Sequence, residues 1–260
     1  MSTNALPYPV SRNLLEGKTV VVTAAAGTGI GFATAKRCVE EGARVMISDI
    51  HERRLGEAVA KLAEINGTRP ASRLCNVTRE ADVQALFDAA IAAMGHIDVL
   101  INNAGLGGFA HLVEMTDEQW STVLDITLNG TFRMTRAALR HMMPRQTGAI
   151  VNNASVLGWR AQAGQAHYAA AKAGVMALTR CAAMEAAKAN VRVNAVSPSL
   201  AMHEFLAKVT PPGLLEELTA REAFGRPAEP WEVANVIVFL ASDYSSYMTG
   251  EVVAVSSQHP

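Results

Sequence analysis

A strand pattern followed by a glycine-rich turn opens the main part of this chain. Residues 19–23 are a run of β-branched side chains, which is typical of strands buried on both faces. Residues 24–31 contain three glycines, and a helical pattern follows over 32–41. Glycine lets the backbone approach a pyrophosphate, while a helix N-terminus offers N–H groups and the positive end of its dipole. The order strand, glycine turn, helix therefore predicts a dinucleotide site.

The same alternation continues to the end of the chain. Further strands are predicted at 44–48, 72–75, 97–101, 149–153, 191–196 and 251–255, and helices at 51–64, 81–94, 117–143, around Tyr168 and at 229–241. This spacing implies a parallel sheet with helices on both faces. We therefore predict a single-domain α/β Rossmann fold over 18–260, doubly wound around seven parallel strands, after an N-terminal arm at 1–17. Ligands bind such sheets beyond the carboxyl ends of the strands.

Ser155, Tyr168 and Lys172 form a second constellation. Tyr168 and Lys172 are four residues apart in an alanine-rich run, so they share one face of a helix. The ammonium is expected to lower the pKa of the phenol from about 10, as a general acid/base working near neutral pH requires. Ser155 follows a predicted strand and can bond the same substrate oxygen. A Tyr-x-x-x-Lys pair alone is commonly structural, but the strand-end serine and the glycine turn favour catalysis.

Asp49 ends the second predicted strand, 18 residues after the last glycine of the turn. A carboxylate at this position accepts hydrogen bonds from both ribose hydroxyls of an adenosine and repels a 2′-phosphate. The sequence therefore favours NAD over NADP. Arg53 and Arg54 lie nearby and can reach a phosphate, although their charged, helix-like run is also typical of a solvated surface.

Composition excludes several classes of function. The 260-residue chain is 50% hydrophobic with a net charge of −1, so it can form a large core and shows no electrostatic signature for nucleic acid or anionic lipid. No apolar run is long enough to span a bilayer. Three separated cysteines and seven histidines show no metal-ligand spacing, so no metal site is expected. With no export signal visible, we expect a cytoplasmic protein.

The segment 199–224 departs from the strand–helix rhythm. The run Pro211-Pro212-Gly213 separates two short helical patches, and Met202, Phe205 and Leu206 contribute to an apolar face. Two interpretations remain open. The segment is either a lid that closes over a bound substrate or an ordinary helical hairpin packed on the body.

From 18 to 255 the sequence resembles the short-chain dehydrogenase/reductase family. The shared motifs are T-A-A-A-G-T-G-I-G at 23–31, N-N-A-G at 102–105, Ser155, Tyr168-x-x-x-Lys172, V-N-A-V-S-P at 193–198, G-R-P at 225–227, F-L-A-S at 239–242 and T-G at 249–250. The resemblance implies hydride transfer between a nicotinamide and a substrate carbon. It makes Tyr168 the acid/base, Lys172 the residue that binds the nicotinamide ribose, and Ser155 the residue that orients the substrate oxygen.

The resemblance also implies two sets of binding residues. The cofactor set is Thr23, Gly27, Thr28, Gly29, Ile30, Gly31, Asp49, Asn76, Val77, Asn103, Ala104, Gly105, Tyr168, Lys172, Pro198 and Leu200. The substrate set is Ser155, Leu157, Met202, His203, Phe205 and Leu206. His203 stands where the family has a cofactor-contacting threonine, and it is expected to contact the cofactor or the substrate, or to be structural.

The sequence departs from the family pattern at several positions. Thr127 aligns with the family's catalytic asparagine, so a proton relay must use Thr127, its backbone carbonyl or another route; Asn129 is expected to face elsewhere. Ala24 replaces a glycine in a turn that is one residue longer than usual. Ser199 replaces the glycine after the proline, and Ser256-Ser257-Gln258 replaces the usual D-G-G.

The substrate is less closely defined. The segment 164–174 resembles 3-oxoacyl-carrier-protein reductases, but their carrier-docking arginines align with Gln146 and Ala189, and Asp49 disagrees with their preference for NADP. The glycine turn and the segment 197–203 resemble an actinobacterial subgroup that acts on CoA-linked fragments of sterol rings. We therefore expect an NAD-linked dehydrogenase of a bulky secondary alcohol, with a CoA thioester as candidate substrate. The alternatives are an NADPH-dependent 3-oxoacyl reductase and a catalytically silent dinucleotide sensor. The resemblance to this family also implies a homotetramer or homodimer.

Overall fold

Seven parallel strands form one sheet at the centre of the protein. The computed structural model describes residues 6–202, 206, 210 and 213–257. The strands are β1 (Thr19–Val22), β2 (Arg44–Asp49), β3 (Ala71–Leu74), β4 (Val99–Asn102), β5 (Gly148–Asn153), β6 (Val191–Pro198) and β7 (Val252–Val255). Their order across the sheet is β3, β2, β1, β4, β5, β6, β7, and every pairing is parallel. The predicted doubly wound, seven-stranded fold is confirmed.

Helices connect these strands on both faces of the sheet. They are α1 (Ile30–Glu40), α2 (Glu52–Asn66), α3 (Glu80–Met94), α4 (Asp117–Leu124), α5 (Gly130–Arg145), α6 (Ala166–Ala186), α7 (Leu214–Ala220) and α8 (Pro230–Ala241). One apolar core packs α1, α2 and α8 against the first face. A second core packs α3, α5 and α6 against the other face. Burial on both faces explains why the strands read as continuous β-branched runs instead of alternating patterns.

The chain reverses its direction across the sheet between β1 and β4. From β1 it moves outward through β2 to β3, and then returns to place β4 on the other side of β1. The loops after β1 and β4 therefore diverge and leave a crevice at the carboxyl edge of the sheet. The site residues predicted at strand ends lie along this edge.

The long helix predicted over 117–143 is interrupted. Thr116 begins α4 with a reciprocal capping box, in which its hydroxyl accepts from the Gln119 amide N–H and the Gln119 side chain accepts from the Thr116 N–H. A π-helical turn at Asp125–Asn129 then separates α4 from α5. Such a turn inserts one residue into the helical repeat and changes the direction in which side chains point. Thr127 is the buried residue of this turn.

The N-terminal arm packs on α1. The Glu41 carboxylate, 1% exposed, accepts hydrogen bonds from the backbone N–H groups of Arg12 (2.9 Å) and Leu14 (3.0 Å). The same carboxylate pairs with the buried guanidinium of Arg37. The Tyr8 ring meets the Trp231 ring of α8 edge-on at 5.3 Å between centroids. The arm thereby joins α1, which follows the glycine turn, to α8.

No helix in the described part of the chain is long and apolar enough to cross a membrane.

The buried Arg37–Glu41 pair and the exposed Arg53–Glu57 pair allow a matched test, because both join residues four apart in the sequence. We expect Glu41→Ala to lower the free energy of unfolding by about 3 kcal/mol, because it leaves a buried guanidinium without one of its partners. Glu57→Ala, in a pair whose side chains are 82% and 52% exposed, should change it by less than about 1 kcal/mol. Urea denaturation measures both values. Equal effects would contradict the role of Glu41 in holding the arm.

Candidate active site

The glycine turn joins β1 to α1 as the sequence predicts. Gly29 precedes α1, and the first turn of that helix carries no acidic residue, so its N–H groups and dipole remain suited to an anion. A Cβ at Gly31 would lie 2.2 Å from the Ala24 carbonyl oxygen and 2.4 Å from Asn103 Nδ2, so only glycine fits. Gly27 faces open space, and its φ of +114° favours glycine. Thr28 is exposed and Ile30 is half-buried at the start of α1.

Asn103 ties the glycine turn to the end of β4. Its backbone N–H and that of Ala104 both donate to the buried Thr23 hydroxyl at 3.0 Å. Its side-chain amide donates to the Thr23 carbonyl at 3.3 Å and to the Ala24 carbonyl at 3.0 Å. These bonds hold Ala24 at a φ of +49°, where the family pattern has glycine. The turn is therefore fixed from the neighbouring strand rather than by its own sequence alone.

Asp49 lies at the end of β2 beside the same turn. Its carboxylate accepts from the Ala26 N–H at 3.2 Å and from the His51 N–H at 3.0 Å. Burial raises the pKa of this carboxyl above its usual value, while the Ala26 N–H and the Arg54 charge act in the opposite direction. Asp49 therefore lies against the glycine turn, as the sequence predicts.

Asn76 and Val77 follow β3 at the same edge of the sheet. The Asn76 side-chain oxygen accepts from the Thr78 N–H at 3.0 Å and from the Thr78 hydroxyl at 2.8 Å, which closes a local turn. Val77 is buried, and a Cβ at Gly130 would lie 2.6 Å from one of its methyl groups. The loop after β3 is thus packed against the start of α5.

Lys172 is buried in the crevice, with 3% of its surface exposed. Its ammonium donates to the Asn153 carbonyl oxygen at 2.5 Å and lies 5.5 Å from the centre of the Tyr168 ring. Burial lowers the pKa of Lys172 to about 8. A Cβ at Gly105 would come within 3.4 Å of the ammonium, so the backbone after β4 passes directly beside it.

Tyr168 and Ser155 face each other beside this lysine. Burial raises the pKa of Tyr168, and a hydrogen bond to Ser155 opposes part of that increase. Ser155, itself buried, accepts from the Leu157 N–H at 3.2 Å. The expectation that Lys172 lowers the pKa of Tyr168 is wrong for this structure. The ammonium is directed at the Asn153 carbonyl rather than at the phenol, so desolvation of the phenol dominates.

The Thr127 hydroxyl joins both backbone groups of Leu106. It donates to the Leu106 carbonyl at 3.1 Å and accepts from the Leu106 N–H at 3.0 Å. The Thr127 carbonyl in turn accepts from the Thr131 hydroxyl at 2.8 Å. Asn129 is exposed and bonds Asp125, which agrees with the expectation that it faces elsewhere. Thr127 therefore holds the loop after β4 through its hydroxyl, and its carbonyl already has one donor.

The predicted residues Pro198, Leu200 and Met202 lie at the end of β6 and directly after it. Pro198 and Leu200 are buried, and the half-buried Met202 donates its N–H to the Ala228 carbonyl at 3.1 Å. Leu206 accepts from the Thr210 hydroxyl at 2.7 Å. His203 and Phe205 lie outside the described residues. Leu157 is half-buried, two residues after Ser155.

A cleft of about 400 Å³ opens between the loops after β4 and β5 and helix α7. Its lining residues are Phe109, Ala161, Gln162, Ala163, Leu214, Glu217, Leu218 and Arg221. Phe109 is held against Gly164, where a Cβ would lie 2.5 Å from its ring. Two residues earlier in the same loop, Gly107 lies against the Tyr168 ring. One loop thus runs from the Thr127 hydroxyl, past Tyr168, to the wall of the cleft.

Sequence reasoning missed three residues that organise this site. Asn153 supplies the carbonyl that accepts from Lys172, and its side chain donates to Asn103 at 3.0 Å. Leu106 is the partner of Thr127, and Phe109 lines the cleft. The position of Asn153 at the end of the strand before Ser155 was a usable signal. Leu106 and Phe109 have no such signal in the sequence, because their roles depend on contacts with other segments.

The Thr127 hydroxyl provides a direct test of the loop's role. We expect Thr127→Val to reduce turnover by about tenfold, because the isosteric side chain makes neither bond to Leu106 and the loop against Tyr168 loosens. Thr127→Ser keeps the hydroxyl and should retain most of the activity. Steady-state kinetics, with thermal unfolding as a check on stability, measures both. Equal rates for valine and serine would show that the hydroxyl does not position the loop.

Comparison with known proteins agrees with this geometry. A family model described as enoyl-(acyl carrier protein) reductase matches residues 24–257. The chain is 60% identical, over 100% of both chains, to the (5R,7aS)-5-hydroxy-7a-methyl-1-oxo-2,3,5,6,7,7a-hexahydro-1H-indene-carboxyl-CoA reductase of Mycobacterium tuberculosis. It is 39% identical to a 3-oxoacyl-(acyl-carrier-protein) reductase of Thermotoga maritima, over 93% of this chain and 97% of that one.

The solved structure of a short chain dehydrogenase from Mycobacterium smegmatis superimposes with a TM-score of 0.88. It is 55% identical, and the match covers 99% of each chain. The buried lysine, the tyrosine and the strand-end serine therefore occur on a fold shared with dehydrogenases along its whole length. The chain belongs to the short-chain dehydrogenase/reductase family, whose members are oxidoreductases that bind a nicotinamide dinucleotide.

Proposed function

We propose that this protein is an NAD(H)-dependent oxidoreductase that interconverts a ketone and a secondary alcohol on a fused-ring compound carried as a CoA thioester. The observation that carries the proposal is the meeting of Ser155, Tyr168 and Lys172 in one buried crevice, beside the loop after β4. A phenol, a hydroxyl and an ammonium around one position suit the polarisation and protonation of a carbonyl oxygen.

Tyr168 is the proton donor in the reductive direction. The phenol carries its proton near neutral pH, since burial raises its pKa, and it can transfer that proton to the carbonyl oxygen as negative charge develops there. Ser155 orients the phenol through their hydrogen bond and can donate to the same carbonyl oxygen. Lys172 carries its charge below its pKa of about 8, which favours negative charge that develops on a nearby oxygen. The Asn153 carbonyl holds that ammonium in place.

The nicotinamide supplies the hydride when it is bound. The N–H groups at the start of α1 and the close packing at Gly31 fit a pyrophosphate beside the glycine turn. Asp49 supports NAD rather than NADP, because its carboxylate at the end of β2 suits two ribose hydroxyls and disfavours a 2′-phosphate. Burial raises the pKa of Asp49 and the Arg54 charge opposes this increase, so Arg54 lies near enough to weaken the preference by attracting a phosphate.

The substrate assignment rests on similarity and on the cleft. The relative with 60% identity acts, by its name, on a CoA-linked hydroxy-indene compound. The cleft at the end of the loop that passes Tyr168 is lined by Phe109, Leu214 and Leu218, which suit an apolar ring system, and also by the charged Glu217 and Arg221. A fatty-acid 3-oxoacyl reductase is the second candidate, because relatives named 3-oxoacyl-(acyl-carrier-protein) reductase share 36% to 39% identity. Gln146 and Ala189, where such enzymes have carrier-docking arginines, weigh against it.

A substrate panel tests the proposed function. We expect a CoA-linked bicyclic ketone to be reduced with NADH at a higher kcat/KM than a linear 3-oxoacyl thioester. Tyr168→Phe should lower turnover by at least about 100-fold, because the proton donor is lost, while NADH binding changes little. Tyr247→Phe, at an exposed tyrosine, is the matched control.

Two outcomes would contradict this assignment. If the protein reduces the linear thioester in preference, with NADPH, it is a fatty-acid 3-oxoacyl reductase instead. NADH binding without turnover of any ketone or alcohol would support a silent dinucleotide-binding protein instead.

Asp49 gives a separate test of cofactor choice. We expect Asp49→Asn to narrow the preference for NADH over NADPH by about tenfold, because the amide keeps an acceptor for the Ala26 N–H but removes the charge. Glu52→Gln removes one exposed charge three residues away and should leave the ratio unchanged. Binding constants from NADH and NADPH fluorescence provide the measurement. A constant ratio in Asp49→Asn would mean that this carboxylate does not select the cofactor.

A further inference from the structure

We propose that Glu222 is a positioning residue that fixes the base of the segment 199–222 and thereby sets where Leu200 and Met202 lie beside the active site. The inference rests on the proposed function for its kinetic consequence, while the geometry stands independently. Glu222 follows α7, and its side chain is buried, with 4% of the residue exposed.

Among the described residues, three donors converge on this carboxylate, two from the start of the segment and one from the C-terminal tail. One oxygen, Oε2, accepts from the Ser257 hydroxyl at 2.7 Å and from the Ser199 hydroxyl at 3.1 Å. The other, Oε1, accepts from the Leu200 N–H at 3.4 Å. Hydrogen bonds to a carboxylate are stronger than hydrogen bonds to a neutral acceptor. The carboxylate therefore links the end of β6 and the C-terminal tail to the far end of the segment.

Backbone bonds bring the same segments together around Glu222. The Ala228 N–H donates to the Leu200 carbonyl at 2.8 Å, and the Met202 N–H donates to the Ala228 carbonyl at 3.1 Å. The Ala223 N–H donates to the Ser257 carbonyl at 2.9 Å. The two ends of the segment are thus joined at one place, so a change at Glu222 is transmitted directly to Leu200 and Met202.

Both hydroxyl donors lie outside the set Ser155, Tyr168 and Lys172. Ser199 directly follows the last residue of β6, and Ser257 lies two residues after β7. A side chain without a hydroxyl at either position would leave the buried carboxylate with fewer donors, which is costly. The two serines and Glu222 therefore form one hydrogen-bonded set.

The test compares Glu222→Gln with Glu216→Gln, the same change at an exposed glutamate of the same segment. An amide presents an N–H donor to at least one of the three donors and breaks that contact. Hydrogen–deuterium exchange on the free protein should show faster exchange at 199–202 in Glu222→Gln only. In the kinetics, the KM for the CoA-linked ketone should rise by about tenfold with a smaller change in kcat.

Ser257→Ala is the second variant, because it keeps the carboxylate and removes one donor even if Glu222→Gln does not fold. It should produce smaller increases in the exchange rate at 199–202 and in the KM. Ser257→Thr keeps a hydroxyl and should give the wild-type values. Unchanged exchange at 199–202 in both variants would overturn the proposal. Faster exchange with unchanged KM and kcat would also overturn it, because Glu222 would then be only structural. If the wild type reduces no CoA-linked ketone, the proposed function fails, and the KM for whichever carbonyl substrate it does turn over is compared instead.

Discussion

A chain of hydrogen bonds across three parallel strands connects the glycine turn to the buried lysine. Asn103 binds Thr23 and Ala24 on one side and accepts from the Asn153 side chain on the other, and the Asn153 carbonyl accepts from Lys172. Parallel strands end with their polar groups at one edge, and those buried groups must find partners. Here the partners belong to the two halves of the crevice, so these hydrogen bonds also set the distance between the glycine turn and the buried Lys172.

Burial in this crevice shifts the pKa values of Tyr168 and Lys172 in opposite directions. Desolvation penalises the charged form of each, so it raises the pKa of Tyr168 and lowers that of Lys172 to about 8. One change of environment thus yields a phenol that holds its proton and an ammonium that gives up its proton more readily. Divergent shifts in neighbouring groups are a frequent feature of acid/base sites.

Much of the fold could be predicted from the sequence, because strands buried on both faces produce β-branched runs and short connections leave clear glycine turns. The site residues at strand ends followed from the same rule. Other features depend on contacts between distant segments and leave no local signal. The buried Asn102 side chain donates to Thr135 and to Asn152, and the Asn152 side chain donates to Thr179. The strand pattern in the sequence does not predict these hydrogen bonds. The π-helical turn around Thr127 and the pKa direction of Tyr168 depend likewise on packing.

The glycine turn contains two different constraints that look identical in a sequence. At position 31 the limit is space, since the Ala24 carbonyl and the Asn103 amide occupy the volume of a side chain. At position 27 the limit is handedness, since the surroundings are open and only the positive φ excludes an L-amino acid. A D-alanine introduced by chemical synthesis would suit the backbone at 27, a substitution that no gene can encode. Glycine is therefore required at position 31 because a side chain does not fit there. At position 27 it is required because the encoded amino acids other than glycine are all L-amino acids, which disfavour this φ.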